Sequence, residues 1–333
     1  MEKIKVGVIG TGHLGKLHAK MFSQLQNADL VGVYDADFSA AQAVAKENNT
    51  IAFEQMDDLI NKVEAVSIAA VTSAHYQLAK KCLEKKIHVF VEKPITATLD
   101  EAEELVFLAR ENKMNLQVGH IERFNPALLA LEKYNLNPLF VQSDRLAQFN
   151  PRGTDVAVVL DLMIHDIDII LSLVKSEVKS VQASGVAVVS NNIDIANARI
   201  EFENGAVANV TASRISQKKM RKMRIFQREG YLSLDFITGV SEVYRLVPSD
   251  QKVEEAHINF GEIGVGDKKK FVIYEQPEQV EVNALKYELD LFLQSVIKKE
   301  KPVVSGEDGW RALKVADLII KKIEESLIKL TQE

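Results

Sequence analysis

The stretch KVGVIGTGHLG, residues 5–15, decides the fold of the first half of this chain. Its β-branched residues predict a buried strand, and Gly10, Gly12 and Gly15 follow directly, before a helical stretch. The first glycine permits a tight turn, the second lets the backbone approach a pyrophosphate, and the third lets the helix pack on the strand. Free N–H groups at the helix N-terminus then face the phosphates. The stretch predicts a dinucleotide cradle, with a simple glycine turn in an α/β domain as the alternative.

A carboxylate at the end of the second predicted strand indicates which dinucleotide the cradle holds. Asp35 lies twenty residues past Gly15 and can accept hydrogen bonds from the ribose hydroxyls of the adenosine. It would repel a 2′-phosphate, and the stretch DADFSA around it offers no arginine to bind one, so NAD is favoured over NADP. His13 and Leu14 lie inside the glycine loop and belong to the same predicted cofactor site, where His13 lends its backbone N–H to the pyrophosphate.

The remaining residues up to about 120 repeat one pattern, in which short Val- and Ile-rich runs alternate with amphipathic stretches. The runs are KVGVIG, DLVGVYD, AVSIAA, IHVFVEK and NLQVGH. Strands that alternate with helices predict a doubly wound parallel sheet built from right-handed crossovers. We therefore place an NAD-binding Rossmann domain at residues 1–120 of an α/β protein.

Beyond about residue 120 the pattern changes to runs of strands framed by helices. Asn204-Gly205, between two strand-like runs, is a strong signal for a hairpin turn. The predicted helices lie at 155–174, 282–298 and 308–329, and a second hairpin lies around REG at 228–230. This pattern predicts a substrate-binding and oligomerisation domain at 121–333, α+β with an open, mostly antiparallel sheet. Its last helix is free to pack back on the first domain.

Length and composition agree with a globular protein of two domains. A chain of 333 residues is too long for one ordinary core, and 47% of its residues are hydrophobic and 26% charged. Its 41 Lys and Arg against 47 Asp and Glu give a formal charge of −6 and no overall bias toward nucleic acid or an anionic membrane. The lone Cys82 cannot form an internal disulfide, which fits a reducing compartment. Because the N-terminus enters a strand with no basic leader and apolar region, we expect a cytoplasmic protein.

The stretch HVFVEKP, residues 88–94, ends a predicted buried strand on a charged pair in front of a proline. Proline has no N–H and forces its predecessor out of the helical region, so Lys93 must sit extended at the end of the strand. The carboxyl end of that strand lies beside the place where a nicotinamide would lie. The sequence therefore predicts a lysine held rigidly next to the reacting part of the cofactor.

The helical stretch TDVAVVLDLMIHDIDIILSLVK, residues 154–175, is apolar almost all round and begins with a capping pair, Thr154 and Asp155. Four ionisable residues interrupt it: Asp161, His165, Asp166 and Asp168. All but Asp166 share one helical face, at i, i+4 and i+7. Because burying unpaired charge is costly, this stripe is either an internal hydrogen-bonded network or a reactive site that faces a cleft. Metal binding is a weaker interpretation, because no second histidine completes a ligand set.

Lys93 favours the reactive interpretation of the stripe. A rigid lysine near a nicotinamide and a helical Asp/His pair are the parts needed to oxidise an alcohol. The histidine would accept the hydroxyl proton, the lysine would stabilise the alkoxide, and a carboxylate would orient the imidazole or the substrate. A hydride would then leave for the cofactor.

These stretches resemble the Gfo/Idh/MocA family, that of glucose-fructose oxidoreductase, inositol dehydrogenase and the rhizopine catabolism protein MocA. The resemblance is carried by GTGHLG, TSAHYQLAKKCLEKKIHVFVEKP and DLMIHDID, and it covers essentially the whole chain. By motif it implies that Lys93 and His165 are the catalytic pair, with Asp161 as their polar neighbour. It also implies a Lys93-Pro94 peptide that is often cis and a homodimer or homotetramer formed through the C-terminal sheet.

The resemblance also bears on the cofactor side of the site. The further cofactor contacts that it implies are Thr72, His75, Glu92, Lys93 and Pro94. His75 is equally compatible with a simple role at the start of a helix. The sequence departs from many relatives at Met163, where they have glycine, and near Val71, where they have proline. Neither departure touches a proton-transfer group, so both bear on pocket shape and hence on the substrate.

The stretches GHIERFNPA and PRGTDVAVVLDLMIHDID resemble the branch of this family that oxidises the 3-hydroxyl of UDP-N-acetylglucosamine or its uronic acid. The diphosphate of such a substrate needs cations, and guanidinium groups suit phosphate oxygens. The predicted substrate contacts are Lys93, Arg123, Asn125, Arg145, Arg152, Asp161 and His165. The basic run KKMRKMR, residues 218–224, is either a solvated strand or loop face or an additional phosphate contact.

Three functions remain open from the sequence. The favoured one is an NAD-dependent dehydrogenase that oxidises a secondary hydroxyl of a nucleotide sugar, such as C3 of UDP-N-acetylglucosamine. A dehydrogenase of a free monosaccharide or an inositol-type polyol would leave the basic residues without a phosphate partner. A non-catalytic NAD-responsive regulator is disfavoured by the presence of both Lys93 and His165.

Overall fold

The computed structural model describes residues 2–151, 153–154, 156–248 and 258–331, and the chain divides into two compact units. The first unit comprises Met1–Phe124 and Asn283–Lys314, and the second comprises Asn125–Val282 and Val315–Glu333. Residues 283–314 thus group with the first unit, although they lie inside the range predicted for the second domain.

Among the residues that the structure describes, six parallel strands form the sheet of the first unit. They are β1 (Ile4–Ile9), β2 (Ala28–Tyr34), β3 (Ile51–Phe53), β4 (Ala65–Ile68), β5 (His88–Glu92) and β6 (Leu116–Gly119). Their order across the sheet is β3-β2-β1-β4-β5-β6, so the predicted doubly wound parallel sheet is confirmed. Strand β3 lacks a counterpart among the predicted runs, because three residues leave too little pattern to recognise.

Nine α-helices lie in the described part of the chain. They are α1 (His13–Phe22), α2 (Phe38–Glu47), α3 (Met56–Ile60), α4 (Thr72–Glu84), α5 (Leu99–Asn112), α6 (Pro126–Leu129), α7 (Ile164–Val174), α8 (Ala284–Lys298) and α9 (Gly306–Thr331). The predicted helices at 282–298 and 308–329 are confirmed as α8 and α9. Local sequence fixes the start of α5, where the Thr98 hydroxyl accepts the Glu101 N–H and the Glu101 carboxylate accepts the Thr98 N–H. Within the described residues, no helix combines the length and apolar character needed to cross a membrane.

Helix α8 belongs to the core of the first unit. Its side chains Leu289, Phe292 and Leu293 are fully buried in the same cluster as Val6 of β1 and Phe90 of β5. The rings of Phe90 and Phe292 meet edge to face, with centroids 5.8 Å apart. The amphipathic pattern of α8 predicts a helix, but it does not say which sheet the apolar face covers. That is why the sequence assigned this helix to the second domain.

Within the described residues of the second unit, nine strands form one sheet. They are β7 (Phe140–Leu146), β8 (Val178–Val186), β9 (Ile195–Phe202), β10 (Val207–Ser213), β11 (Met220–Gln227), β12 (Gly230–Asp235), β13 (Val240–Pro248), β14 (Ile258–Ile263) and β15 (Lys270–Glu275). The order is β14-β15-β13-β12-β11-β7-β10-β9-β8, with antiparallel neighbours throughout except for the parallel pair β7 and β10. The predicted mostly antiparallel sheet is confirmed, and so are the hairpins at Asn204-Gly205 and 228–230.

The two faces of the second sheet differ in chemistry. One face is covered by α7, which packs on β7 and β10, and it carries buried side chains such as Val141, Val210 and Ile225. The opposite face carries a row of aromatic rings that crosses several strands. In that row the rings of Tyr231 and Tyr244 stack with centroids 4.4 Å apart.

We predict that Phe292→Ala lowers the free energy of unfolding by about 3–5 kcal/mol, because it leaves a cavity among fully buried side chains. The matched control is Phe107→Ala, since Phe107 lies on α5 with 55% of its surface exposed and should change stability by about 0.5 kcal/mol or less. Denaturant unfolding followed by circular dichroism compares the two variants. Equal losses would contradict the placement of α8 in this core.

Candidate functional site

The turn between β1 and α1 forms the cradle that the glycines predict. Gly10 has φ +89°, and an added Cβ would lie 2.7 Å from the backbone nitrogen of Ala70, so this position needs glycine. An added Cβ on Gly15 would collide with the carbonyl oxygen of Gly10, which shows how closely α1 approaches β1. The space beside Gly12 is open. The cradle lies where the strand order reverses between β1 and β4, the position at which such sheets bind ligands.

Protein groups hold Asp35 in place beside the cradle. The backbone N–H and the hydroxyl of Thr11 donate to Asp35 Oδ2 at 2.6 and 3.0 Å, and the Asp37 N–H donates to Oδ1 at 2.9 Å. Thr11 lies between two of the cradle glycines, so its hydrogen bonds connect the Asp35 carboxylate directly to the cradle. His13 and Leu14 are exposed in the first turn of α1.

The other predicted cofactor contacts gather at the ends of β4 and β5. Thr72 begins α4, and the Lys93-Pro94 peptide bond that follows β5 is cis, as the resemblance implies. His75 is buried, with Nδ1 2.9 Å from the Pro94 carbonyl oxygen and Nε2 3.1 Å from that of Ala70. These contacts make His75 a link between two loops, which favours the structural alternative for its side chain.

Glu92 ends β5 with its side chain only 12% exposed. Its carboxylate lies 3.0 Å from the Nε2 atom of His18, a residue of α1 that the sequence did not single out. A signal was available, because His18 lies one helical turn past Gly15 and therefore on the face of α1 that packs on the sheet. The partner of that histidine could not be inferred from spacing alone.

In the second unit, the segment before α7 differs from the predicted helix at 155–174. Residue 155 lies outside the described residues, but residues 156 and 157 are not helical, and a π-type turn at Val159–Met163 precedes α7, so the helix begins later than predicted. The Arg214 guanidinium donates to the carbonyl oxygens of Gly153 and Val156, both at 2.6 Å. The Val158 N–H donates to the Ile193 carbonyl at 2.9 Å. These backbone groups are engaged in a loop and are not available to a helix.

The side chain of Thr154, one half of the predicted cap, bonds to a neighbouring loop residue. The Thr154 hydroxyl donates to the Pro151 carbonyl at 2.9 Å, so it does not cap a helix. Asp155, the other half of the predicted cap, and Arg152, a predicted substrate contact, lie outside the described residues.

The ionisable residues of the predicted stripe occupy different surroundings. Asp161 lies in the π-type turn, and an added Cβ on Gly153 would be 3.1 Å from its Oδ2 atom. His165 lies half-buried in the first turn of α7. Asp166, expected to point elsewhere, forms two hydrogen bonds of 2.7 and 3.1 Å with Arg145, and Asp168 is buried. The wider turn at Asp161 also alters the angular spacing that a regular helix would give it.

Three predicted substrate contacts have protein partners. Arg145 is 2% exposed and binds Asp166 within the second unit. Arg123 lies 3.7 Å from Asp308 within the first unit. Asn125 caps α6, accepting the Ala127 N–H at 3.1 Å and donating to the Phe236 carbonyl at 3.0 Å. These partners favour structural roles, and contact with a substrate stays a prediction for each residue.

The basic run 218–224 leads into and forms the first half of β11. Its exposed cations are Lys218, Lys219, Arg221, Lys222 and Arg224. Lys222 lies 3.4 Å from Asp235 on the neighbouring strand, and Met223 is buried. This arrangement is the solvated strand face that the sequence allows, and contact with a phosphate stays a prediction.

Comparisons with known proteins agree with this geometry. The family described as "Oxidoreductase family, NAD-binding Rossmann fold" matches residues 4–120, and the "GFO/IDH/MocA C-terminal domain" matches residues 139–233. UDP-N-acetylglucosamine 3-dehydrogenase of Acidithiobacillus ferrooxidans is 39% identical over 245 residues, which are 73% of this chain and 78% of that protein. A solved structure of that enzyme superposes with a TM-score of 0.86 at 33% identity and covers 98% of this chain and 99% of its own. Myo-inositol 2-dehydrogenase of Thermotoga maritima is 25% identical over 97% of both chains.

A doubly wound sheet with a glycine cradle and a carboxylate at the end of its second strand is typical of a dinucleotide-binding protein. The matches at both domains carry this further: the chain belongs to the Gfo/Idh/MocA oxidoreductase family, and its cofactor is NAD. In this chain, residues around the cradle, Asp35 and the end of β5 would hold that cofactor. When bound, it would accept the hydride that leaves an alcohol carbon.

We predict that NAD binds at least tenfold more tightly than NADP, a difference of about 1.4 kcal/mol or more, because Asp35 repels a 2′-phosphate. Asp35→Asn keeps the shape and removes the charge, so the preference should shrink toward equal binding. Asp29→Asn, which changes an exposed residue on the same strand, should leave it unchanged. Fluorescence titration measures both affinities. Equal or tighter NADP binding by the unchanged protein would contradict the assignment.

Asp194 anchors the loop that precedes β9, next to Arg214 at 3.7 Å. Burial raises the pKa of Asp194, but hydrogen bonds from the Ser190 hydroxyl and from the backbone N–H groups of residues 188–190 outweigh it. The pKa is lowered from 3.8 to about 2. Because the folded protein holds this carboxylate charged, its contribution to stability is complete above the unfolded pKa and is lost as the pH falls through the folded one.

We therefore predict that Asp194→Asn lowers the Tm most at pH values above about 4, with the deficit shrinking as the pH falls toward about 2. Thermal unfolding of both proteins across this range measures the difference. Asp29→Asn is the control for loss of an exposed carboxyl. A deficit that grows at low pH would show that the sign of this linkage is wrong.

Proposed function

We propose that this chain is an NAD-dependent dehydrogenase that oxidises the 3-hydroxyl of UDP-N-acetylglucosamine. The observation that carries the proposal is similarity over both units to UDP-N-acetylglucosamine 3-dehydrogenase, at 33% identity and a TM-score of 0.86 over 98% of this chain. The identity is higher than the 25% found for the myo-inositol enzyme over the same extent. Lys93 at the carboxyl end of β5 adds the chemical group that such an oxidation needs.

The first unit supports a defined course for the cofactor. Asp35 at the end of β2 would accept hydrogen bonds from the adenosine ribose hydroxyls, and the N–H groups at the start of α1 would donate hydrogen bonds to the pyrophosphate oxygens. Continuing along the carboxyl edge of the sheet, the nicotinamide would lie toward the ends of β4 and β5. Lys93 directly follows β5. Its side chain therefore begins at the end of the sheet where the nicotinamide would lie.

The proposed chemistry is balanced in protons and electrons. The C3–H bond breaks with its electron pair, for which bound NAD would supply the hydride acceptor, while the 3-hydroxyl loses its proton to His165. Lys93 stabilises the negative charge that develops on the oxygen, and Asp161 orients the imidazole or the sugar. The products are the 3-keto sugar, NADH and one proton. Lys93 belongs to the first unit and His165 to the second.

A second candidate is a dehydrogenase of a free polyol such as myo-inositol. The specific observation in its favour is that Arg123 and Arg145 face Asp308 and Asp166. Cations already engaged with carboxylates are less available to a diphosphate. In that case the exposed cations of the run 218–224 would serve only as a solvated face.

We also propose that the protein forms a homodimer or homotetramer through the aromatic face of the second sheet. Its row of rings is Phe140, Phe226, Tyr231, Tyr244, Tyr274 and Phe260. At the edge of this row Phe260 is 62% exposed, and an apolar strip of this kind is typical of a protein interface.

A cytoplasmic location fits the lone Cys82, which is buried and whose pKa burial raises to about 12, so the thiol stays inert.

The test is NADH formation with UDP-N-acetylglucosamine, its uronic acid, myo-inositol and glucose as substrates. We predict that UDP-N-acetylglucosamine has the highest kcat/KM. Lys93→Met and His165→Ala should each lower kcat by about 10²- to 10⁴-fold while NAD affinity stays within about threefold, because both groups act on the reacting hydroxyl. Lys20→Met, which changes an exposed lysine on α1, should have no effect. Preference for myo-inositol would support the second candidate. A fully active Lys93→Met enzyme would contradict the assignment of Lys93 as a catalytic residue.

A further inference from the structure

A buried histidine in α1 is not used by the proposed chemistry. His18 is 0% exposed and reaches two strands of the first sheet. Its Nδ1 atom lies 2.7 Å from the hydroxyl of Ser67 on β4, and its Nε2 atom lies 3.0 Å from Glu92 Oε1 at the end of β5. The ring also meets Phe90 of β5 edge to face, with centroids 5.5 Å apart. A polar ring in this position requires polar partners, because burying it without them is costly.

Both partners of this ring are polar groups. The Glu92 carboxylate can only accept hydrogen bonds, and one of its oxygens lies within ion-pair distance of Nε2. The Ser67 hydroxyl, which can donate or accept a hydrogen bond, lies 2.7 Å from Nδ1. The backbone N–H of Lys93 donates to the second carboxylate oxygen of Glu92 at 3.3 Å. One continuous series of contacts therefore runs from Ser67 through His18 and Glu92 to the backbone of Lys93.

The neighbouring strand leaves space for this carboxylate. On β6, a Cβ added to Gly119 would lie 2.9 Å from both carboxylate oxygens of Glu92. Any larger side chain at position 119 would push Glu92 out of its position. The carboxylate is thus enclosed by α1, β5 and β6, and its histidine partner is fixed by β4.

Electrostatics keep the enclosed carboxylate charged. Burial raises the pKa of Glu92, but contact with His18, the nearby charge of Lys93 and the Lys93 N–H together hold it below its ordinary value. A charged, enclosed carboxylate has few positions that satisfy it. Its position in turn restrains the residue that follows it in the chain.

We propose that His18 is a positioning residue for Lys93 and acts through Glu92. The inference rests on the proposed function, in which Lys93 stabilises the developing alkoxide. It also changes the role expected of Glu92, from a contact with the cofactor to the support of the lysine. Loss of His18 leaves the Glu92 carboxylate without its buried partner, so the carboxylate and the Lys93 backbone shift together. Because a shift of about 1 Å in a catalytic group can cost about 100-fold, the loss falls on kcat.

The experiment compares His18→Ala, His18→Gln and Glu92→Gln in the full-length protein. We predict that His18→Ala and Glu92→Gln each lower kcat by about 10- to 100-fold, with the NAD Kd within about threefold of the unchanged protein. His18→Gln retains an amide donor and should recover part of kcat. His88→Ala is the matched control, because His88 lies at the other end of β5, accepts the Asn115 N–H at 2.9 Å and should leave kcat unchanged.

A double-variant cycle with Lys93→Met separates this inference from the proposed function. If His18 acts through Lys93, adding His18→Ala to Lys93→Met should reduce kcat by less than about threefold further. A full additional loss of 10-fold or more would overturn the positioning role while leaving Lys93 catalytic. A Lys93→Met enzyme as active as the unchanged protein would overturn the proposed catalytic assignment, and this inference with it. Should His18→Ala fail to fold, the same cycle is run with Glu92→Gln.

Discussion

The close approach of α1 to β1 is the constraint on which the rest of the first unit depends. Gly15 lies against the carbonyl oxygen of Gly10 at a distance that no side chain would allow. Because α1 starts so close to β1, the free N–H groups at its N-terminus face the proposed position of the phosphates. It also places Thr11 against Asp35 and carries His18 deep enough to reach β4 and β5. The dinucleotide cradle, the carboxylate at β2 and the support of Lys93 therefore follow from one packing contact.

The second unit uses buried ion pairs for a similar purpose. The ion pair between Arg145 and Asp166 connects α7 to β7. Hydrogen bonds from Arg214 restrain the loop before α7. Buried pairs of this kind are weak evidence for stability, because desolvation offsets much of their attraction. Removing one partner nevertheless costs about 3–5 kcal/mol, so each pair strongly restrains geometry. The helix that carries His165 is thereby held by charge as well as by apolar packing.

The sequence predicts the elements of this protein better than it predicts their partners. Strand and helix periodicity, the glycine cradle and the Asn204-Gly205 hairpin all depend on local pattern, and the structure confirms each of them. The start of the helix before His165 was wrong, because Arg214 lies far along the chain and takes the carbonyls that a helix would use. His18 was missed for the same reason, since nothing near it in sequence indicates Glu92.

The partners of the arginines in the candidate site could not be predicted from sequence either. Arg123 and Arg145 were predicted to contact a diphosphate because arginines close to the motifs suit phosphate oxygens. Their carboxylate neighbours, Asp308 and Asp166, come from elements whose contacts only the fold determines. Charge in a sequence is visible, but whether that charge is already engaged depends on tertiary structure. For Lys93 the strand end and the proline indicate the backbone position locally, whereas the contact of Glu92 with His18 depends on tertiary structure.

Transfer of deuterium from the substrate to the cofactor tests the central claim most directly. UDP-N-acetylglucosamine labelled with deuterium at C3 is incubated with the enzyme and NAD, and the reduced cofactor is analysed by NMR and mass spectrometry. The account predicts one deuterium at C4 of the nicotinamide and a ketone at C3 of the sugar. Reduced cofactor without deuterium, or a ketone at another carbon, would contradict it.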